Sequence, residues 1–144
     1  MEKTYIMVKP HFANYDNVIT LVKNEAKKAG MTIVNEKFIK YGRKEAQAHY
    51  AEHFRGSYEN AKGFYKELED YITSDKAYGM VMVGENAITV MRTLIKKLRQ
   101  VVPVMLGEAP RMTENVLHGS DCVESAEREI AIYDTMPKVC DVTK

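Results

Sequence analysis

The chain is short of most features that mark a special environment. Its 144 residues include only two cysteines and four prolines, and 21 basic residues against 20 acidic ones leave a net charge of +1. Each shortage excludes something. Cys122 and Cys140 show no metal-ligand spacing, so the chain reads as reduced. A charge near zero gives no global field to hold nucleic acid or an acidic membrane, and any anion site has to be built locally. No apolar run approaches the ~20 residues needed to cross a bilayer. The opening "MEKTYIMVKP" lacks the apolar core of a signal peptide, and the expected location is cytoplasmic. There is no glycine-rich phosphate loop after the first strand, where "KPHFANYD" stands, which argues against a small doubly wound sheet.

What is present suits one compact domain over residues 1–144. Hydrophobic residues make up 45% of the chain, with no low-complexity tract or repeat. "TYIMVK" alternates like a strand from Thr4 to Lys9, ended by Pro10. Val18, Leu21, Val22, Glu25 and Ala29 keep a helical period closed by Gly30. "MTIVNEKFIKY" reads as a second strand, followed by helices over Lys44–Phe54 and Asn60–Ile72. "AYGMVMV" is a short apolar third strand. "ENAITVMRTLIKKLRQ" is a helix with Ile88, Met91, Leu94, Ile95 and Leu98 on one stripe. "VVPVMLGEAPRMTE", with two prolines and a glycine, is expected to be a loop. "NVLH" is a fourth strand and Val123–Ile130 a last helix. This order predicts an α+β, ferredoxin-like sandwich: a four-stranded, mostly antiparallel sheet with helices packed on one face.

The segment from Asn115 to Ile130 carries the chemistry. His118 ends a strand and is followed by Gly119, then by Ser120 and Asp121, either of which can cap the next helix; Asp121 and Glu124 have capping-box spacing. A helix N-terminus favours anions. Val123, Ala126 and Ile130 are expected on the buried stripe, with Glu124, Glu127 and Arg128 toward solvent. Glu129 falls near that stripe, and an inward carboxylate needs a partner such as an imidazole nitrogen. Taken alone, His118 reads first as a hydrogen-bonded turn residue.

The string "NVLHGSDCVESAEREI" resembles, nearly residue for residue, the active-site signature of nucleoside diphosphate kinases, N-x-x-H-G-S-D followed by V-E-S-A-E-x-E-I. "TYIMVKP", "HYAEH" and "MVMVGENAITVMR" look like further parts of that family, and its fold is the ferredoxin-like one. The resemblance implies a ping-pong phosphotransferase: ATP gives its γ-phosphoryl to His118, and a second nucleoside diphosphate collects it. A neutral imidazole is nucleophilic near pH 7, where lysine is protonated and serine inert. By the same resemblance Glu129 holds the ring, and Ser120 and Tyr50 belong to the catalytic set. Lys9 and Arg92 supply positive charge, each worth about 3 kcal/mol or more of transition-state stabilisation. Phe64 stacks on the base, and Asn115 contacts ribose or phosphate. Mg2+ accompanies the nucleotide phosphates; no metal is expected on the protein itself. The partners are ATP and nucleoside diphosphates, without nucleic acid or membrane, in a homo-oligomer that is a hexamer, tetramer or dimer. Simpler readings exist for three of these: Phe64 as an aromatic beside Leu68 on an amphipathic helix, Tyr50 as a packing residue, Asn115 as a strand start.

The chain departs from the family after its first strand, where "KPHF" replaces K-P-D-G, and after Arg92. There Leu98 occupies the place of a phosphate-binding threonine and no T-I-R motif appears, leaving Arg111, Arg99 or Lys97 to replace the arginine. A catalytically weakened nucleotide-binding relative is therefore the alternative function. His49 and His53 have a zinc-like helical spacing without a third ligand. "KGFY" imitates an RNA-recognition motif, but its acidic helical continuation defeats the match. The cluster of Arg92, Lys96, Lys97 and Arg99 reads as a solvated helix face.

Overall fold

The structure, a computed structural model, describes residues 1–49, 67–108 and 116–139. Four strands form one sheet: β1 (Glu2–Val8), β2 (Thr32–Ile39), β3 (Ala77–Gly84) and β4 (Leu117–Gly119). Their spatial order is β2-β3-β1-β4, and each neighbouring pair is antiparallel. That is the predicted ferredoxin-like sheet. The helices are α1 (Asp16–Lys28), α2 (Arg43–His49), helical residues 67–72 (α3), α4 (Ala87–Met105) and α5 (Val123–Thr135). No helix among the described residues is long and apolar enough to cross a membrane.

Side-chain alternation along the strands explains two layers of core, because successive residues point to opposite faces. Ile6 and Val8 of β1 join Met80 and Met82 of β3 against Val22 and Ala26 of α1 and Met91, Ile95 and Leu98 of α4. Tyr5 and Met7 join Val81 on the other face, against Ala46 of α2, Ile72 of α3 and Tyr133 of α5. Helices thus cover both faces, not one as expected from the strand order. α2 and α3 each put a residue, Ala46 and Ile72, into the second layer.

Two helices run past the ends expected from the sequence. The first five residues of the expected loop, Val101–Met105, continue α4 as helix, with Pro103 inside. Pro103 removes only one N–H from the last turn, and its burial with Val102 outweighs that loss. The glycine signal belongs to the helix end: Gly107 takes φ 71, so that Glu108 N–H reaches Pro103 O at 2.8 Å and Gly107 N–H reaches Val104 O at 3.0 Å. α1 closes the same way at Gly30, as expected, though Ile19 and Ala26, not Ala29, complete its buried stripe. α5 runs on to Thr135 because Tyr133 and Met136 are buried.

The turn after β1 is unusual. His11 has φ 74 and ψ −60, a γ-turn geometry that strains a non-glycine residue by about 1–3 kcal/mol. It is held by Glu108, whose carboxylate lies 2.9 Å from His11 Nε2, and by ring contact with Phe12 and Tyr15.

Candidate active site

β4 is the edge strand beside β1, and the register sets His118 opposite Met7. Directly opposed residues of an antiparallel pair project to the same face, so His118 shares its face with Tyr5, Met7 and Lys9. α2 and α5 cover that face. Gly119 is needed for the fit of β4 on the other side: a Cβ there would stand 2.5 Å from Ile95 Cδ1 of α4.

The imidazole is held from below. His118 Nε2 lies 2.8 Å from Glu129 Oε1, and Ser120 Oγ donates to the same oxygen at 2.7 Å. Glu129 is 1% exposed, and a buried carboxylate requires such donors. An ionised carboxylate only accepts, so Nε2 carries the ring proton and Nδ1 carries the lone pair. Ser120 in turn accepts from Tyr5 N–H at 3.1 Å, while its own N–H donates to Tyr5 O at 3.2 Å, which ties the site to β1.

That use of Ser120 corrects the predicted cap. The N-cap of α5 is Cys122, in extended conformation and without a side-chain cap bond. Ser120 is taken by Glu129, and Asp121 forms an ion pair with Arg92. Glu124 turns to its own backbone N–H and to the Cys122 side chain, which hold its carboxyl below the usual range. The predicted stripe of α5 also shifts: Val123 is 47% exposed, while Ser125, Ala126, Glu129 and Tyr133 are buried. Arg128, expected in solvent, is partly buried and donates to His49 O at 3.4 Å, bridging α5 to α2.

Lys9 is 3% exposed, at the end of β1, where its N–H donates to Val116 O and its carbonyl accepts from Ala13. Arg92 approaches from α4 across the open edge of β4. Arg99 donates through Nη2 and Nε to Leu117 O, at 2.9 and 3.3 Å. Arg92, Lys96 and Arg99 line a small cleft of about 20 Å³ against Gly119 and Ile95. Part of the expected solvated basic face is therefore gathered against Gly119, the residue that follows His118 in β4; Lys97 is exposed. Leu98 lies in the apolar core. Tyr50, Phe64, Arg111 and Asn115 lie outside the described residues.

His49 was not expected here. Its ring meets the His118 ring at 4.5 Å between centroids and 65°, and Tyr5 approaches His118 at 6.1 Å. Burial first, then the positive charge that His118 gains when protonated, holds His49 well below the usual histidine range; Lys9 and Arg128 act the same way and Glu129 opposes them. His49 is therefore neutral at pH 7, and the ammonium of Lys9 is close enough to act on it. A signal was present in the sequence only as His49 on a helix beside Tyr50.

A much larger groove, about 1070 Å³, lies between the start of β1, the β3–α4 turn and the outer side of α5, lined by Lys3, Asn86, Val123, Ala126 and Ile130 among others. None of the side chains gathered at His118 lines it, and its volume has no bearing on that chemistry.

Comparison with known proteins gives one answer. The family model described as nucleoside diphosphate kinase matches residues 2–136. A nucleoside diphosphate kinase of Staphylococcus epidermidis is 34% identical, covering 98% of this chain and 93% of that protein. One of Brevibacillus brevis is 36% identical over 100% of this chain and 96% of its own. Among solved structures, the kinase of Encephalitozoon cuniculi superposes with TM-score 0.72 at 29% identity, covering 96% and 95% of the two chains. That of Halobacterium salinarum, in complex with CDP, gives 0.69 at 28% identity, covering 96% and 93%.

Proposed function

The chain belongs to the nucleoside diphosphate kinase family and is an enzyme of it, and from that premise we propose that it works by two half-reactions through a phosphohistidine at His118. In the first, the Nδ1 lone pair attacks the γ-phosphorus of ATP; the new N–P bond forms as the bond to the β,γ-bridging oxygen breaks, and ADP leaves. In the second, the terminal oxygen of another nucleoside diphosphate takes the phosphoryl group and restores the imidazole. The Nε2 proton stays between the ring and Glu129 throughout, so the carboxylate balances the positive charge the ring acquires. The observation that carries this reading is the Ser120–Glu129–His118 chain of hydrogen bonds, which fixes the tautomer with its lone pair on Nδ1.

Because charge develops on phosphoryl oxygens, the remaining work is positioning and positive charge. Lys9 is buried beside the site, and Arg92 gives up an exposed partner, Asp121, to reach a phosphate. An ion pair of that exposure is worth at most ~1 kcal/mol. Of the candidates for the family's loop arginine, Arg99 is supported by its place in the cleft with Arg92; Arg111 stays a candidate. Phe64, Tyr50 and Asn115 keep the base-stacking, ring-side and ribose or phosphate roles given above. Mg2+ carried in with the nucleotide would neutralise the phosphate charge. The donor set would fit an ion carried on those phosphates: Glu129 is buried on His118, and Asp121, an exposed carboxylate in the turn after β4, would help to hold it.

The same proposal includes one domain over residues 1–144, a cytoplasmic setting and a homo-oligomer. The test is direct. Protein incubated with γ-labelled ATP and Mg2+ should gain acid-labile, alkali-stable label, pass it to CDP or GDP, and lose it in His118→Ala. Absence of label, or label that survives the substitution, overturns the assignment and leaves a nucleotide-binding relative.

A further inference from the structure

The fold supplies what the helical pair of His49 and His53 lacks in sequence. His49 at the end of α2, His118 of β4 and Glu129 of α5 each present a donor atom, and the three atoms lie within 4.8 Å of one another. We propose that these side chains bind a transition-metal dication of the zinc class, distinct from the Mg2+ on nucleotide phosphates. The ion and the phosphoryl group exclude each other at His118, a part of the proposal that rests on the kinase reading above.

Two imidazoles and a carboxylate are a donor set of zinc sites that keep a fourth position open. Imidazole nitrogen suits zinc, copper and nickel, whereas magnesium prefers oxygen and retains its water, so the two ions seek different places. Tetrahedral bonds of ~2.0–2.1 Å put donors roughly 3.4 Å apart, so the widest separation closes by about 1.4 Å while the His118–Glu129 contact at 2.8 Å opens. Glu129 is already oriented for the task by Ser120 at 2.7 Å and by Arg128 at 3.7 Å from Oε2, the outer support that metal-bound carboxylates use. The side chain of His118, 17% exposed, gives the ion its way in.

The exclusion follows from proton bookkeeping on one ring. An ion on Nε2 takes the lone pair created when that nitrogen loses its proton. The ring's single proton then resides on Nδ1, where the nucleophilic lone pair had been. Bound zinc therefore switches the tautomer, and phosphoryl acceptance stops until the ion leaves.

Nucleotide-free protein titrated with Zn2+ against a chromophoric chelator should bind one ion per chain. Co2+ should give the intense visible bands of four-coordinate geometry. His49→Ala and His49→Gln should bind Zn2+ at least about tenfold more weakly, the lower end of what losing even an outer partner costs, while His11→Ala and Cys122→Ser keep the affinity. Phosphohistidine formed from labelled ATP and Mg2+ should fall in step with zinc occupancy and recover with chelator. No stoichiometric binding to the unsubstituted chain, or unchanged affinity in the His49 variants, overturns the site. Should those variants not fold, an octahedral Co2+ spectrum, or imidazole ¹⁵N resonances of His118 unmoved by Zn2+, overturns it equally. Stoichiometric zinc with undiminished labelling overturns the exclusion alone. Stoichiometric zinc on a chain that never labels upholds the site and refutes the kinase reading.

Discussion

On the face of the sheet covered by α1 and α4, the core is a run of aliphatic and thioether side chains: Ile6, Val8, Met80, Met82, Met91, Ile95 and Leu98. On the face covered by α2, α3 and α5, the same strands bury Lys9, His49, Ser120 and Glu129 beside the tyrosines 5, 41 and 133. Burial on the first face stabilises through apolar area, at about 25 cal/mol per Å², and asks only for volume. On the second, each buried polar group costs stability unless a partner meets it, and those partners fix the geometry. The difference separates holding the fold from holding a tautomer. Substitutions on the two faces should therefore be distinguishable by what they damage.

The largest effect should come from Glu129→Gln. The amide still offers an oxygen to His118 and Ser120, so the shape persists, but the charge that fixes the ring proton is lost. The labelling rate should fall about 10²- to 10⁴-fold, the range for losing a histidine's orienting carboxylate or a positioned proton-transfer group. Rapid-quench labelling measures it, with urea unfolding as the control for stability. An unchanged rate would reduce Glu129 to a packing role and erase the contrast between the faces.

Met82→Ala tests the other side. Met82 is fully buried in the inner strand β3, on the face covered by α1 and α4. The truncation should cost about 2–5 kcal/mol of unfolding free energy, with labelling per folded molecule nearly unchanged. If phosphorylation instead slows as much as with Glu129→Gln, the two layers are mechanically coupled through β1 and β3, and the separation fails.

Much of this was legible before any coordinates. Alternation in "TYIMVK" and "AYGMVMV" and the stripes of α1 and α4 follow from burial periodicity alone, while His118, Glu129 and Lys9 were singled out together by the resemblance to nucleoside diphosphate kinases. What escaped were contacts that neither period nor motif encodes. His49 meets His118 only because α2 lies over β4's end of the sheet, a long-range fact absent from local spacing. Pro103 looked like a stop, but core packing carried α4 past it. Ser120 looked like a cap, but a buried carboxylate is a stronger claimant for its hydroxyl than a solvent-reachable helix end. Arg128 sat on the polar arc of α5 by periodicity, and α2 covered that arc.

The polar face should also betray itself in alkali. Tyr133 is fully buried, donates its hydroxyl to Asn35 at 3.1 Å, and packs 5.5 Å from Tyr5, which itself touches His118. Burial first, then the negative charges of Asp134 and Glu36, push its phenol up to about 12. The phenol of an unfolded chain ionises near 10. Between those values the unfolded state has released a proton that the folded state retains, so this contribution to stability is complete below pH 10 and is lost as pH rises toward 12. The loss should approach about 2.7 kcal/mol over the two units. Tyr133→Phe forgoes one hydrogen bond, about 0.5–1.5 kcal/mol at pH 8, but has no phenol to ionise. Urea unfolding from pH 8 to 12 should therefore show the variant starting less stable and the gap closing or reversing. Parallel pH profiles would mean that Tyr133 ionises as freely in the fold as outside it, and that the layer beneath the histidine is wetter than its packing implies.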